Sequence, residues 1–337
     1  MHYPKFLTSG GTIGVTAPSD GITKLKKIHR LDQAIKTFQQ IQFKVILTPN
    51  VRTSVKGRSS SSKEQARQLE SLFLNDDVDI IMCAEGGDFL LEMLSDVDFS
   101  IIAKHPKWLQ GYSDPTGLLY TITTNLDIAT IYGDNFCNFG MKPWHSSLQN
   151  NLEFLKGNIK PQYSFDQYEN AYLPFVTGTE PYTLTQNVYW ENLTPEKVIT
   201  MKGRMIGGCI DLLNDLFGTR FDKTKKFIET YKQDGIIWYF DNCEFTSEQL
   251  IRTLWKFRDN GWFQYCKGII FGRSATNASN YDISFLEAIR SSLEMLQIPI
   301  IVNADIGHVA PRMTIINGAL ASVTSEGGCG KISFYLD

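Results

Sequence analysis

The residues of this chain that could do chemistry gather at the ends of apolar runs. In Trp108-Leu-Gln-Gly-Tyr-Ser-Asp-Pro-Thr-Gly117 an apolar run breaks at Gly111, passes Ser113 and Asp114, and meets Pro115 and then Leu118-Leu-Tyr-Thr-Ile122. That order predicts a strand, a tight turn and a helix start with Pro at its first position. Such a turn lifts a hydroxyl beside the free N–H groups of a helix N-terminus, which is what a nucleophilic serine needs. Ser-Asp-Pro is also an ordinary helix cap, so Ser113 gains meaning only from partners elsewhere. A base is available in His308, which follows the apolar run 298–304 through Asp305-Ile-Gly; His2, His29, His105 and His145 lie in polar or terminal settings. An orienting acid is available in Asp241 or Glu244, after the apolar run Gly235-Ile-Ile-Trp-Tyr-Phe240. Carboxylates at the end of a buried strand are costly unless paired, although one of the two could cap the helix expected over 246–257. Nucleophile, base and acid can come in any chain order, because a triad is a geometry.

The elements around these residues read as alternating strands and helices. Thr12-Ile-Gly-Val-Thr-Ala predicts a strand that breaks at Pro18-Ser-Asp-Gly21; Leu31, Ala34, Ile35 and Phe38 repeat at helical spacing; Phe43-Lys-Val-Ile-Leu47 predicts the next strand. After a Ser-rich loop over 51–62, an amphipathic helix over 63–74 leads to a buried strand, Asp79-Ile-Ile-Met-Cys83, ending at Ala84-Glu-Gly-Gly87. This β-α-β alternation is the mark of a parallel sheet, in which ligands bind beyond the carboxyl ends of the strands. Gly86, Gly87 and Ser113 all fall at such ends. A glycine N–H and the N–H of Asp114 could therefore form an oxyanion hole, though two glycines also suit a plain turn. The pattern loosens from about 144 to 200, and a second organised unit starts at Met201. The expected division is an N-terminal domain over 1–165 carrying the nucleophile, a linker and cover segment over 166–199, and a C-terminal domain over 200–337 carrying acid and histidine.

Composition excludes several classes. A chain of 337 residues, 42% hydrophobic and 20% charged, has ample core, and a formal net charge of -3 offers no general attraction to nucleic acid. No stretch of 18 uninterrupted apolar residues and no leader pattern appears, so a cytoplasmic protein without membrane partners is expected. The six cysteines lack C-x-x-C spacing and read as buried thiols rather than disulfides or zinc ligands.

Lys56-Gly-Arg-Ser-Ser, Ala84-Glu-Gly-Gly, Gly111-Tyr-Ser-Asp-Pro-Thr, Arg204-Met-Ile-Gly-Gly, Phe217-Gly-Thr, Gly268-Ile-Ile-Phe-Gly-Arg and Gly307-His308, in this order, resemble the serine peptidase family of murein tetrapeptide L,D-carboxypeptidases and microcin C immunity peptidases. The resemblance covers almost the whole chain. It implies an α/β fold, with an N-terminal Rossmann-like parallel-sheet domain joined to a C-terminal α/β domain and the active site in the groove between them. It also implies a Ser-His-Glu triad, a homodimer, and no metal or other cofactor. Carried over, Ser113 is the nucleophile, His308 the base, and Gly86, Gly87 and Asp114 the oxyanion donors. The family's triad glutamate is replaced: Asp241 opens the turn and Glu244 follows three residues later, so Asp241, Glu244 or an impaired triad remain as readings, with Asp241 preferred. Cys209 stands where the family has an asparagine. A carboxypeptidase must also hold a terminal carboxylate, for which Arg273 is the candidate and Arg58 and Arg312 are alternatives.

The implied substrate is a small peptide, murein tetrapeptide losing its terminal D-alanine, or alternatively an aminoacyl or peptidyl nucleotide. In the second case Trp144, Tyr182 or Trp190 could stack on the base, or they could simply pack. Two other classes stay open. Gly10-Gly-Thr-Ile13 resembles the threonine-bearing segment of asparaginases, but it opens a strand instead of following one, which favours a structural Thr12. A non-catalytic binding protein of the same fold is the other.

Overall fold

Short apolar runs rich in β-branched residues, separated by amphipathic helices, fold here as parallel strands with crossover helices. The computed structural model describes residues 1–170 and 176–336. Its first half runs β1 (Thr12–Thr16), α1 (Leu25–Gln40), β2 (Lys44–Leu47), α2 (Ser62–Leu74), β3 (Ile80–Cys83), α3 (Phe99–Lys104), β4 (Trp108–Gly111), α4 (Thr116–Leu126), β5 (Thr130–Tyr132) and α5 (Ser146–Leu155). Strands β2, β1, β3, β4 and β5 lie side by side and parallel. β1, β3, β4 and β5 are buried along their whole length, as strands covered on both faces must be.

The second half continues β6 (Gln162–Tyr163), β7 (Gln167–Glu169), β8 (Leu184–Asn187), β9 (Glu191–Asn192), β10 (Val198–Cys209), α6 (Ile210–Leu216), α7 (Thr224–Thr230), β11 (Ile236–Asp241), α8 (Ser247–Asp259), β12 (Cys266–Gly272), α9 (Phe285–Leu293), β13 (Ile300–Ala304), β14 (Ile315–Asn317), β15 (Leu320–Glu326) and β16 (Cys329–Tyr335). One sheet orders these as β6-β16-β15-β10-β11-β12-β13-β9, with β10 to β13 parallel at its centre. All six residues of β11 are buried. Its Trp238 stacks on Trp262 at 5.4 Å and on Phe240 at 5.6 Å. Helices α8 and α9 each begin in a capping box, Thr246 with Gln249 and Ser284 with Glu287.

The described residues form two compact units: 1–159 with 176–182 and Thr314–Ile316, and 160–170 with 183–313 and 317–336. This differs from the expected division in two places. The segment 166–199 is no separate linker, because β7 and β8 pair as a hairpin and β9 completes the edge of the second sheet beside β13. The far C-terminal region is divided as well, since β14 adds to the first sheet next to β5. Among the described residues no helix is long and apolar enough to cross a membrane.

The packing around β11 sets a stability scale. Trp238→Ala is expected to cost about 3–5 kcal/mol, measured by urea unfolding, whereas Trp255→Ala, at a side chain 55% exposed, should stay within about 0.5 kcal/mol.

Candidate active site

The strand-to-helix turn after β4 has the geometry that a raised hydroxyl requires. Ser113 sits at φ 69°, a left-handed conformation uncommon for a residue with a side chain, and it is half-exposed between buried neighbours. Helix α4 begins at once: Thr116 N–H donates to Ser113 O at 2.9 Å and Gly117 N–H to Asp114 O at 3.1 Å. The turn is held from below by the Asp114 side chain, whose Oδ2 accepts from the Ser19 hydroxyl and from Leu90 N–H. Burial pushes the Asp114 carboxyl above its ordinary value, against these two bonds. Gly86 lies against the serine: a Cβ there would stand 3.0 Å from Ser113 Cβ, 3.1 Å from its Oγ and 3.8 Å from Asp114 N. Any side chain at 86 would fill the space over the hydroxyl. Gly87 is equally constrained, since a Cβ would run into the Ser19 hydroxyl. Gly86, Ser113 and Asp114 are thus neighbours, as their positions at the ends of adjacent strands predict.

In the second unit His308 and Asp241 form a two-point contact. Asp241 Oδ2 is 2.7 Å from His308 Nδ1, and its Oδ1 accepts from His308 N–H at 3.1 Å. Gly307, at φ 94°, allows this approach, because a Cβ there would strike the Asp241 carboxylate. Asp241 is fully buried at the last position of β11, so the histidine is the partner that makes its burial tolerable. Burial disfavours the charged imidazole, yet the adjacent carboxylate outweighs it and holds His308 up to about 10. Glu244 is exposed, and its N–H donates to Asp211 Oδ1; the acid on the imidazole is Asp241.

The structure corrects the reading of Arg273. Its guanidinium is buried, donating to Asp305 Oδ1 at 2.7 Å and to the carbonyls of Pro311 and Val309 at 2.9 and 3.4 Å, with Tyr168 against its face at 4.5 Å. A fork committed to these partners fixes the chain on either side of His308 and does not serve as a carboxylate clamp. Arg312 does similar work through Gly307 O and His308 O. Arg58 forks onto Glu92 and lies over Phe89. Trp144 donates its indole N–H to Phe139 O, Trp190 is buried with its N–H on Asp305 Oδ2, and Tyr182 packs edge-on to His145. Thr12 opens β1, buried.

Three supporting residues escaped the sequence reading. Asp305 anchors Arg273, Trp190 and Phe165 N–H. Asp211 accepts from the N–H groups of Cys243, Glu244 and Phe245 and so shapes the turn after Asp241. Ser19 supports Asp114. The available signal was the same for two of them: an acid one or two positions beyond a buried strand.

Two outcomes follow from this geometry. His308, titrated by NMR, should protonate well above its ordinary 6.5 in the native chain and at a clearly lower value in Asp241→Asn, where the carboxylate that outweighs burial is gone. Because the folded value is the raised one, the pair's contribution to stability is complete below about pH 6.5 and fades as pH rises toward 10. In Asp241→Asn that fade should be absent from urea unfolding across the same range. Arg273→Gln should destabilise by about 3–5 kcal/mol, since it strands Asp305 in the interior.

Similarity to known proteins follows the same positions. The sequence profile of the LD-carboxypeptidase N-terminal domain of peptidase family S66 matches residues 13–133, and that of the C-terminal domain matches residues 202–323. A probable murein peptide carboxypeptidase of Bacillus subtilis is 25% identical over 327 residues, spanning 96% of this chain and 92% of the relative. The microcin C7 self-immunity protein of Escherichia coli is 24% identical over 329 residues, spanning 94% and 91%. A solved structure of the microcin C7 self-immunity protein in complex with aspartyl sulfamoyl adenosine has the same fold, with a TM-score of 0.84 at 21% identity over 100% of this chain and 99% of that one. With both domain profiles matched in order, and with Ser113 inside the first and Asp241 and His308 inside the second, the chain belongs to the LD-carboxypeptidase family, peptidase family S66.

Proposed function

We propose that the protein is a serine carboxypeptidase that releases the terminal D-alanine from murein tetrapeptide in the cytoplasm, acting as a homodimer, with Ser113, His308 and Asp241 as nucleophile, base and orienting acid. The observation that carries the reading is the two-point hold of Asp241 on His308. With Nδ1 held on Asp241 Oδ2, the ring is fixed in the orientation and tautomer a serine base needs, Nε2 being the atom that takes the proton. In the proposed reaction His308 takes the proton of Ser113, and Oγ attacks the amide carbonyl. The oxyanion accepts from N–H groups of Gly86 or Gly87 and of Asp114. His308 then returns the proton to the leaving amine, and water releases the acyl group by the same steps. Loss of one oxyanion donor costs about 2.7–4 kcal/mol of barrier in such sites, so the space kept by Gly86 is as much a part of the proposal as the serine. Recognition of the terminal carboxylate falls to a group other than Arg273.

A second reading, hydrolysis of an aminoacyl nucleotide, is supported by the whole-chain likeness to the microcin C7 self-immunity protein, whose solved complexes hold aspartyl sulfamoyl adenosine and glutamyl sulfamoyl guanosine. Trp190, fully buried on Asp305, is unsuited to stacking on a base. Release of D-alanine from murein tetrapeptide by the purified chain separates the readings. Expected is release by wild type, loss in Ser113→Ala, a fall of roughly 10⁴ in Asp241→Asn by analogy with other triads, and near-native turnover in Glu244→Ala. Since the base must be neutral to act, kcat/KM should rise with pH, with a midpoint above 6.5. Turnover of an aminoacyl sulfamoyl nucleotide without D-alanine release would favour the second reading. Unchanged hydrolysis in Ser113→Ala would overturn both.

A further inference from the structure

The parallel register of β10 and β11 sets Cys209 directly beside Asp241, and neighbouring residues in register on adjacent strands project to the same face. His308, arriving after β13, lies on the same spot: one ligand atom each from Cys209, Asp241 and His308 fall within 4.8 Å of one another. Cys209 and Asp241 are fully buried and His308 nearly so. Cys243, two residues beyond Asp241 and half-buried, also hydrogen-bonds the imidazole. Asp211 adds a second carboxylate, accepting from the Cys209 thiol at 3.2 Å. Thiol, imidazole and carboxylate in one place form the donor set of tetrahedral zinc, whose bonds of about 2.0–2.3 Å put ligand atoms under about 4 Å apart. A contraction of about 1 Å, within the reach of side-chain rotation, brings the cluster to that size. The cysteines read from the sequence as buried thiols; tertiary structure gives two of them a histidine and an acid.

We propose that Cys209, Asp241 and His308 form a site for a thiophilic divalent cation such as Zn²⁺, and that its binding disables the imidazole. Binding exchanges the cation for two protons, one from the Cys209 thiol and one from the ring, both released to solvent, with no change of oxidation state. The Asp211 and Asp241 carboxylates beside the thiol give the spot a negative potential that favours a cation. A metal on His308 withdraws the lone pair or the Asp241 contact on which a base depends. The binding stands independently of the proposed peptidase activity; the inhibition rests on it.

The test uses Co²⁺ as a spectroscopic probe and Zn²⁺ as competitor on the full-length protein. Expected is one equivalent of Co²⁺ giving a thiolate-to-cobalt charge-transfer band that Zn²⁺ displaces. Cys209→Ser and His308→Gln should each weaken binding by more than the roughly 10–100-fold that loss of an outer-shell partner costs. Cys329→Ser, at an exposed thiol remote in sequence, should leave the band unchanged. Circular dichroism confirms that the variants are folded. No band in the wild type, or an undiminished band in folded Cys209→Ser, would overturn the site. If D-alanine is released, Zn²⁺ should suppress it reversibly by chelator in wild type and at much higher concentration in Cys209→Ser; suppression equal in both overturns the inhibitory role. If no substrate is turned over, the proposed activity fails while the cobalt spectrum still decides the site.

Discussion

A carboxylate fully buried at the end of an apolar strand is the constraint on which much of the second unit depends. Asp241 sits where β11 has no water to offer it, and an unpaired charge there would cost several kcal/mol. His308 answers with both its ring and its backbone N–H. That answer requires the chain after β13 to bend sharply, which Gly307 permits at φ 94°, and to stay bent, which Arg273 and Arg312 enforce by gripping its carbonyls. Arg273 in turn needs Asp305, which needs Trp190 and Phe165 N–H. The buried polar groups form a connected chain in which, among the described residues, Arg273 Nε alone of the Arg273 nitrogens lacks a partner, and such networks fix one arrangement more firmly than apolar contacts do.

The first unit meets a different constraint, steric instead of electrostatic. Ser113 adopts a left-handed backbone because the chain must turn from β4 into α4 within a few residues. The strain is supported by Asp114 below the turn and by the absence of a side chain at Gly86 above it. The two units thus reach functional geometry by separate physics, a strained turn in one and a paired buried charge in the other. The short side chain of Asp241 reaches His308 because the bend at Gly307 brings the backbone N–H of His308 within 3.1 Å of the carboxylate.

Much of this was legible in the sequence, for identifiable reasons. The α/β class, the strands around Ser113 and Asp241, and the helix starts follow from apolar run lengths and from capping residues such as Ser61, Thr246 and Ser284, all of them local signals. The adjacency of Gly86 to Ser113 was legible too, because consecutive parallel strands are usually neighbours. Arg273 was misread: a strand-end arginine looks the same in sequence whether its fork meets solvent or a buried acid. The segment 166–199 was misread in part because β9 finds its partner in β13, more than a hundred residues away.

Sequence by itself determined which residues could carry charge, accept a proton or tolerate a left-handed backbone, since these are properties of residue type and immediate neighbours. Only the tertiary structure set Asp241, not Glu244, against the imidazole, engaged Arg273 with Asp305 and the carbonyls of the histidine loop, and set Cys209 beside His308. Each of those outcomes depends on strand register and on a loop returning from far along the chain. Contacts between distant segments are fixed by the packing of the whole fold, not by the local pattern that names the residues.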